Sequence, residues 1–363
     1  MKAKDLAKKL GVSPATISLV LNNKPGISDS LRKTLLEKIQ ELGHEEMLSQ
    51  SCREGGAPGA KLSPEPQEER CACKSIAYLM YNHFQEDMND PYQFFTQVLE
   101  GIEYEAWEND CCIVMLHMNR REGLDIAQRL RRAGNVVGAI VHPCKLDARV
   151  ERDVKAAGVP CVFMDAFAPM PSGWEPPSVC VSNRQGMRSA VGHLVEKGHQ
   201  EVGYVFSGWE TPVEVDRRKW FRRALKNLGL ADRPEYYFQA GTGDELFEYQ
   251  RLADRLAGAQ RLPSALVCEN DRQAWRAIKA LKQLGLRVPE DVSVIGFDDQ
   301  ALCTAIEPNI TSIHNSPHLM GRECVMLLQN LIRLREREEE PWLRYELPAR
   351  LVERDSVRDL GRA

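Results

Sequence analysis

Three side chains of the kinds used in nucleophilic catalysis lie near predicted strand ends: His142, Cys144 and Asp165. A thiol beside an imidazole and a carboxylate could attack a substrate, because the imidazole can take the thiol proton. No nucleophile elbow, no G-x-x-x-x-G-K-[ST] motif and no G-x-G-x-x-G motif after a strand accompanies them in the sequence. We therefore predict that the chain is not an enzyme and binds no cofactor.

The cysteines do not indicate a metal site. Of the 11 cysteines, the close pairs are Cys71 with Cys73 and Cys111 with Cys112, and neither has the C-x-x-C…C-x-x-C spacing of a zinc module. The amino terminus lacks the apolar stretch of a secretory signal, and no run of about 18 apolar residues could span a membrane. We expect no bound metal, reduced thiols and a cytoplasmic location.

Basic side chains are concentrated in the first 44 residues. The chain has a formal net charge of −4, but residues 1–44 hold eight Lys and Arg against four Asp and Glu, which leaves −8 on the remainder. A basic segment on an acidic body is typical of a chain that meets phosphate groups at one end. A solvated helical surface is the alternative interpretation of these charges.

The same segment has the signals of three short helices. The first predicted helix covers Lys4–Leu10 and ends at Gly11, whose missing Cβ permits a left-handed turn. The second begins after Ser13, a good amino-terminal cap, with Pro14 in its first turn. Its inward-facing residues would be Ile17, Val20 and Leu21, and a third helix would follow Ser28 or Asp29. Two helices joined by a tight turn, with a third in support, predict a helix-turn-helix domain; a three-helix cap without a ligand is the alternative.

The segment GVSPATISLVLNNKPGISDSLRKTLLEKIQELGH resembles the DNA-binding domain of the lactose-repressor/galactose-repressor (LacI/GalR) family, and the match runs over about residues 4–44. By this resemblance three residues of the second helix read bases and five lie near the DNA backbone. They are Pro14, Ala15 and Leu19 for the bases, and Ser13, Thr16, Ser18, Asn22 and Asn23 for the backbone. Many family members have Arg where this chain has Leu19, which offers only apolar contact, for example to a thymine methyl group.

Residues 45–74 predict a flexible linker, because they are rich in Gly, Pro, Ser and Glu and lack helical periodicity. Family members usually carry here a Pro-Asn…Ala-Arg…Leu segment that forms a hinge helix and inserts a leucine into the minor groove. This chain has His44-Glu45-Glu46-Met47-Leu48 in that place, and its acidic residues would repel phosphate. We expect two loosely tethered DNA-binding domains that tolerate variable half-site spacing.

The remaining body, residues 75–356, alternates short β-rich runs with amphipathic helical runs. Such alternation predicts parallel sheets with right-handed crossovers, and ligands of such sheets bind beyond the carboxyl ends of the strands. The predicted strands are Ser75–Tyr81, Cys111–His117, Val136–Val141, Pro160–Met164, Ser178–Val181, Glu201–Phe206, Ala265–Cys268 and Val292–Phe297.

The body also resembles the ligand-binding domain of the LacI/GalR family, most strongly in PSALVCENDRQAWRAIKALKQLGLRVPEDVSVIGFDD at 263–299. The resemblance implies a periplasmic-binding-protein-like α/β fold of two doubly wound subdomains joined by three crossovers. We place the first subdomain at about 75–165 and 298–335, and the second at 166–297 and 340–356. The carboxyl-terminal tail has no leucine heptads, so we expect a homodimer.

The resemblance places a small ligand, by family default a sugar, in the cleft between the subdomains. Its implied contacts are Arg217, Asn270 and Asp298, with Tyr92 and Phe94 on the near wall and Trp220, which replaces a usual glycine. Arg and Asp suit this role because they form charge-assisted hydrogen bonds to hydroxyl or carboxylate groups. The alternative for each residue is structural: Asn270 and Asp298 could cap helices or turns, and Arg217 could pair with an acid.

Together these features predict a sequence-specific DNA-binding transcription regulator, as a repressor, whose operator affinity depends on a small ligand. The usual Val-Asp-Asn of the family is Val181-Ser182-Asn183 here, so a nucleobase or a phosphosugar is a further candidate ligand. The alternative functions are a small-molecule-binding protein and a doubly wound enzyme, neither with a DNA role. Salt-dependent DNA binding separates the regulator from both.

Overall fold

The structure, a computed structural model, describes residues 3–21, 26–42, 74–81, 94–118, 126–143, 145–241, 245–335 and 343–361. The chain divides into two compact units, residues 1–72 and residues 73–363. Nearly all of the predicted linker, together with Cys144, lies outside the described residues.

The first unit contains the three predicted helices: α1 (Ala3–Leu10), α2 (Pro14–Leu21) and α3 (Asp29–Glu41). Gly11 connects α1 to α2 with a φ of +69°, which an L side chain adopts only at a cost. A small apolar core holds the helices together, because each contributes fully buried side chains, such as Leu6, Ile17 and Ile39.

Within the described residues, the second unit contains twelve strands in two six-stranded sheets. Strand β1 shows why they form, since its sequence KSIAYLMY is β-rich and buried at every position but the first. The first sheet has the order β11-β5-β4-β3-β1-β2, with β1 (Lys74–Tyr81), β2 (Cys111–His117), β3 (Val136–Pro143), β4 (Cys161–Met164), β5 (Ser178–Val181) and β11 (Arg344–Leu347). The second sheet has the order β12-β10-β9-β8-β6-β7, with β6 (Val202–Phe206), β7 (Tyr237–Gln239), β8 (Ala265–Cys268), β9 (Ser293–Asp298), β10 (Thr311–His314) and β12 (Arg350–Val352).

Helices cover both sheets. They are α4 (Phe94–Glu108), α5 (Ile126–Arg132), α6 (Ala148–Ala157), α7 (Asn183–Glu196), α8 (Pro212–Asn227), α9 (Glu245–Ala257), α10 (Asp271–Gln283), α11 (Leu302–Ala305) and α12 (Pro317–Arg335), with a 3₁₀ turn at Pro234–Tyr236. All pairings in the first sheet are parallel, and in the second only β10 with β12 is antiparallel. The predicted fold of two doubly wound layers is confirmed.

The sheets differ from the predicted subdomain boundaries at three strands. Ser178–Val181 pairs with β4 of the first sheet, Thr311–His314 pairs with β9 of the second, and Arg344–Leu347 pairs with β5 of the first, so each lies in the sheet opposite to the one predicted. The sequence of a short strand near a crossover does not indicate which sheet the strand joins, because strand pairing depends on contacts with other segments of the chain.

The chain passes between the two sheets after β5, after β10 and between β11 and β12. The three passages agree with the number of crossovers that the resemblance implied. Gly186 on α7, just beyond the first passage, allows close packing, because a Cβ there would lie 2.6 Å from the Phe297 ring. Helix α7 therefore lies directly against the end of β9.

Candidate functional site

The exposed face of α2 is formed by its first turns. Pro14, Ala15 and Ser18 are exposed, whereas Ile17 and Val20 are fully buried. Ser13 caps the helix, since its Oγ accepts a hydrogen bond from the Thr16 amide at 3.0 Å. Small side chains on this face let a flat surface approach the helix closely.

Helix α3 holds α2 from behind through a buried arginine. Arg32 is 4% exposed, and its Nη1 donates to the Leu19 carbonyl at 3.0 Å. Leu19 is half-buried and Thr16 is half-exposed, so both lie at the edge of the exposed face. Asn22 and Asn23 lie outside the described residues. The role of all eight residues in DNA contact stays a prediction.

A buried ion pair lies where the carboxyl ends of the strands in the second unit meet. Arg217 of α8 approaches Asp298 at the end of β9, with Nη2 2.7 Å from Oδ1 and Nη1 3.5 Å from Oδ2. The same guanidinium donates to the Glu269 carbonyl at 2.7 Å and lies 3.8 Å above the Phe297 ring centre. Burial is the largest single effect and lowers the pKa of Arg217, but the charge and hydrogen bonds of Asp298, together with the charge of Asp165, raise it by more, so the net pKa is raised and the arginine stays charged.

Two further polar residues extend this pair, Asn183 at the start of α7 and Asp216 on α8. Arg217 Nε donates to Asn183 Oδ1 at 3.2 Å, and Asn183 Nδ2 donates to Asp216 Oδ2 at 3.1 Å. Burial raises the pKa of Asp216, against the lowering effect of this hydrogen bond. The arginine is therefore held on two sides, and its guanidinium has a defined orientation.

The first sheet contributes Asp165, which follows β4. Burial raises the pKa of Asp165 from its ordinary value of 3.8 to about 7, although the Val181 amide donates to Oδ1 at 3.1 Å and Arg217 is near. Asp298 and Asp216 raise this pKa further by repulsion. One network thus contains side chains from both sheets.

Backbone strain marks the same place. Asp165, Asp298 and Asp299 have φ values of +49°, +103° and +54°, in the left-handed region that side chains other than glycine rarely adopt. Asp299 is fixed by His314 at 3.0 Å and Arg354 at 2.6 Å. Strain of this kind persists only where surrounding contacts over-determine the backbone, as they do at binding sites.

A buried amide adds an unsatisfied acceptor. Asn315, which follows β10, donates from Nδ2 to Asp298 Oδ1 at 2.9 Å, and its own Oδ1 has no partner among the described residues. A buried oxygen without a partner costs free energy unless water or a ligand donates to it.

The structure brings together only part of the predicted ligand set. Arg217 and Asp298 are in direct contact. Asn270 follows Glu269 and caps α10, because its Oδ1 accepts from the Gln273 amide at 3.0 Å. Asn270 therefore has the helix-capping role that was the alternative to ligand contact. Its contact with a ligand stays a prediction.

The predicted aromatic residues lie apart from the ion pair. Trp220 lies on the outer side of α8 with the Lys219 ammonium 5.1 Å from its ring centre. Phe94 is half-buried, packs against the apolar core and meets Phe95 edge-on, with 5.4 Å between ring centres. Tyr92 lies outside the described residues.

Sequence reasoning missed Asn183, Asp216 and Asn315 as members of the network and considered Asp165 only for catalysis. A signal was present for two of them, since Asp216 precedes Arg217 and Asn183 ends the Val-Ser-Asn segment. Asn315 has no comparable signal, because its position depends on the passage after β10.

His142 on β3 is held neutral, because burial lowers its pKa to about 4, and its Nδ1 lies 3.3 Å from the Tyr78 hydroxyl, whereas Cys144 lies outside the described residues. Within the described ranges, no group of three or more His, Cys, Asp and Glu side chains could hold a metal ion. The cysteines described are free. No helix in these ranges is long and apolar enough to span a membrane.

Comparisons with known proteins agree with both units. Residues 2–45 match the model of bacterial regulatory proteins of the lacI family, and residues 191–357 match a periplasmic binding protein-like domain. The chain is 27% identical to the HTH-type transcriptional repressor PurR of Aliivibrio salmonicida, over 98% of this chain and 99% of that protein. It is also 27% identical to the HTH-type transcriptional repressor CytR of Escherichia coli K12, over 90% of this chain and 88% of that protein.

Solved structures share the fold. A complex of the transcriptional regulator CelR with cellobiose matches with a TM-score of 0.64 at 24% identity, over 98% of this chain and 99% of the other. A Lac repressor bound to ONPG matches with a TM-score of 0.64 at 22% identity, over the same shares. The chain therefore combines a helix-turn-helix domain of the lacI family of bacterial regulatory proteins with a periplasmic binding protein-like domain.

Proposed function

We propose that this protein is a dimeric DNA-binding transcriptional repressor whose operator affinity is changed by a small neutral polyhydroxyl ligand, such as a sugar. The observation that carries the DNA role is the exposed amino-terminal face of α2, with Ser13, Pro14, Ala15 and Ser18 outward over a buried apolar side. An α-helix with short side chains fits the major groove, and its capped amino terminus favours phosphate contact.

The charges around Arg217 support a neutral ligand. Its positive charge is already paired with Asp298, and Asp165 and Asp216 add two more carboxyl groups nearby. A phosphate or carboxylate ligand would meet this acidic surplus, whereas hydroxyl groups can donate to it. Asn315 Oδ1, which has no partner among the described residues, could accept a hydrogen bond from a ligand hydroxyl group in the same way.

The position of the network supports a link to conformational change. Asn183 and Asn315 lie at two of the places where the chain passes between the sheets, and both bond to the ion pair. A ligand there would bind one arrangement of the sheets better than another. Only this difference in affinity can change DNA binding.

The first experiment measures binding of the full chain to duplex fragments from its own upstream region by fluorescence anisotropy at stepped salt concentrations. We expect affinity to fall linearly on a logarithmic plot, with a slope set by the phosphates contacted. Sugars and nucleosides are then added, and at least one sugar should shift the affinity. A protein that ignores every duplex at low salt would end the proposal.

The second experiment separates the ligand site from the DNA site. Asp298→Asn keeps the shape but loses the charge that pairs with Arg217, so we expect DNA affinity to persist and the sugar response to vanish. Asp298→Ala is the companion variant, and folding of both is checked by thermal unfolding. Retained sugar binding with lost DNA binding would reverse the assignment.

We also propose that residues 45–74 tether the DNA-binding domain 1–44 loosely to the body 75–356. The two DNA-binding domains of a dimer could then bind operators whose half-sites are separated by different distances. Operators whose half-sites are separated in steps of one base pair test this. A flat response is expected, and a sharp optimum at one spacing would refute a loose tether.

A further inference from the structure

A groove of about 1620 Å³ lies on the outer side of the second unit, between α7 and α8, away from the ion pair. Its walls carry six cationic side chains: Arg184, Arg188, Lys219, Arg222, Arg223 and Lys226. We call it the basic groove. The four cations of α8 follow helical spacing, so they form one row about 10 Å long, and the two of α7 lie one turn apart.

Part of the positive charge of the basic groove is paired. Lys219 lies 3.5 Å from Asp216 and Arg222 lies 3.8 Å from Asp232. The other acid among the described lining residues is Glu346, on a body whose net charge is negative. Within the described part of the chain, Arg188, Arg223 and Lys226 form no side-chain ion pair or hydrogen bond. Like charges held this close repel one another, so an anionic occupant would relieve the repulsion.

The floor between the two rows is apolar. Ala224, Leu230 and Leu347 line it, and each is buried or nearly so. Pro348 adds an exposed apolar surface at one edge. Cations on both walls and an apolar floor complement a helix that is apolar along one stripe and acidic on its flanks.

The volume of the basic groove favours a large occupant over a small molecule. Sites for small molecules occupy about 300–1,000 Å³, and the basic groove exceeds that range. A nucleic acid backbone would use the cations but has no apolar stripe for the floor. We propose that the basic groove docks an acidic amphipathic segment of a partner protein.

The test uses the full chain without DNA or sugar, so its outcome is independent of the proposed function. Three labelled peptides of about 16 residues, or four helical turns, are titrated by fluorescence anisotropy at low salt. The first has Leu at helical spacing and Glu elsewhere, the second has Gln for Glu, and the third has Ser for Leu. We expect the first to bind at least about tenfold more tightly than either other.

Charge reversal locates the binding. Arg188→Glu with Arg223→Glu should weaken the first peptide by about tenfold or more, because each wall loses one unpaired positive charge and gains a negative one. The matched control is Arg152→Glu with Arg251→Glu, two exposed arginines on other helices, which should leave the affinity unchanged. Thermal unfolding confirms that all variants fold.

Three results would overturn the proposal. The first is equal binding of the Glu and Gln peptides, and the second is an equal effect of the two double variants. The third is equal binding of the Leu and Ser peptides with displacement by tripolyphosphate or duplex DNA, since the groove would then be an anion site that makes no use of its apolar floor.

Discussion

The two units differ in where their candidate binding residues lie, because the small unit has them on its surface and the large unit has them in its interior. The small helical unit exposes Ser13, Ala15 and Ser18 at the start of one helix and buries apolar side chains and Arg32 beneath them. The large unit buries its charges, with Arg217 and Asp298 7% and 11% exposed in a network that spans two sheets. A surface site depends on one helix being stable, whereas a buried site depends on every partner being present.

The largest expected effect is loss of one partner from the buried pair. Arg217→Ala leaves Asp298 buried without its counter-charge, so the free energy of unfolding of the body should fall by about 3–5 kcal/mol. Thermal unfolding of the full chain measures it. The control is the next residue, Arg218→Ala, whose partner Glu210 is 65% exposed, and it should cost less than about 1 kcal/mol. Equal losses would contradict the contrast between buried and surface sites.

The apolar support of α2 should matter nearly as much. Ile17 is 0% exposed, so Ile17→Ala should destabilise the first unit by about 2–5 kcal/mol and abolish DNA binding. Ligand binding by the body should survive, because the two units have separate cores. Ala15→Ser, on the exposed face, serves as control, and amide hydrogen exchange of residues 14–21 in the full chain reports the loss.

Titration of Asp165 should make the stability of the body depend on pH. A carboxyl group with a raised pKa binds its proton more tightly in the folded state, so stability is highest at low pH and declines as pH rises from about 4 to 7. Asp165→Asn should make this decline shallower. It should not remove it, because burial also raises the pKa of Glu269 and brings that of Asp271 to about 8. An unchanged slope in thermal unfolding between pH 5 and 8 would contradict the assignment.

The smallest effect concerns the helix cap. Ser13→Ala removes the acceptor for the Thr16 amide and should cost about 1 kcal/mol, seen as faster hydrogen exchange in α2. DNA affinity should fall with it. Thr34→Ala on α3 is exposed and bonds only within its own helix, so its effect should be within about 0.5 kcal/mol. A larger effect at Thr34 than at Ser13 would show that α2 is not held by its cap.

The sequence alone was enough for the features that depend on neighbouring residues. The helices of the first unit follow from Gly11, Ser13 and the spacing of apolar residues, and most strands of the body follow from β-rich runs such as that of β1. These signals act over a few residues, where hydrogen bonding and periodicity decide the structure.

Only the tertiary structure decided which strands share a sheet and which polar residues share a site. The sheets of Ser178–Val181 and Thr311–His314, and the meeting of Asp165, Asn183, Arg217 and Asn315, depend on passages between the sheets. The side-chain hydrogen bonds of this network join residues 17 to 81 positions apart, and their free energy comes from burial and pairing that no local sequence pattern encodes.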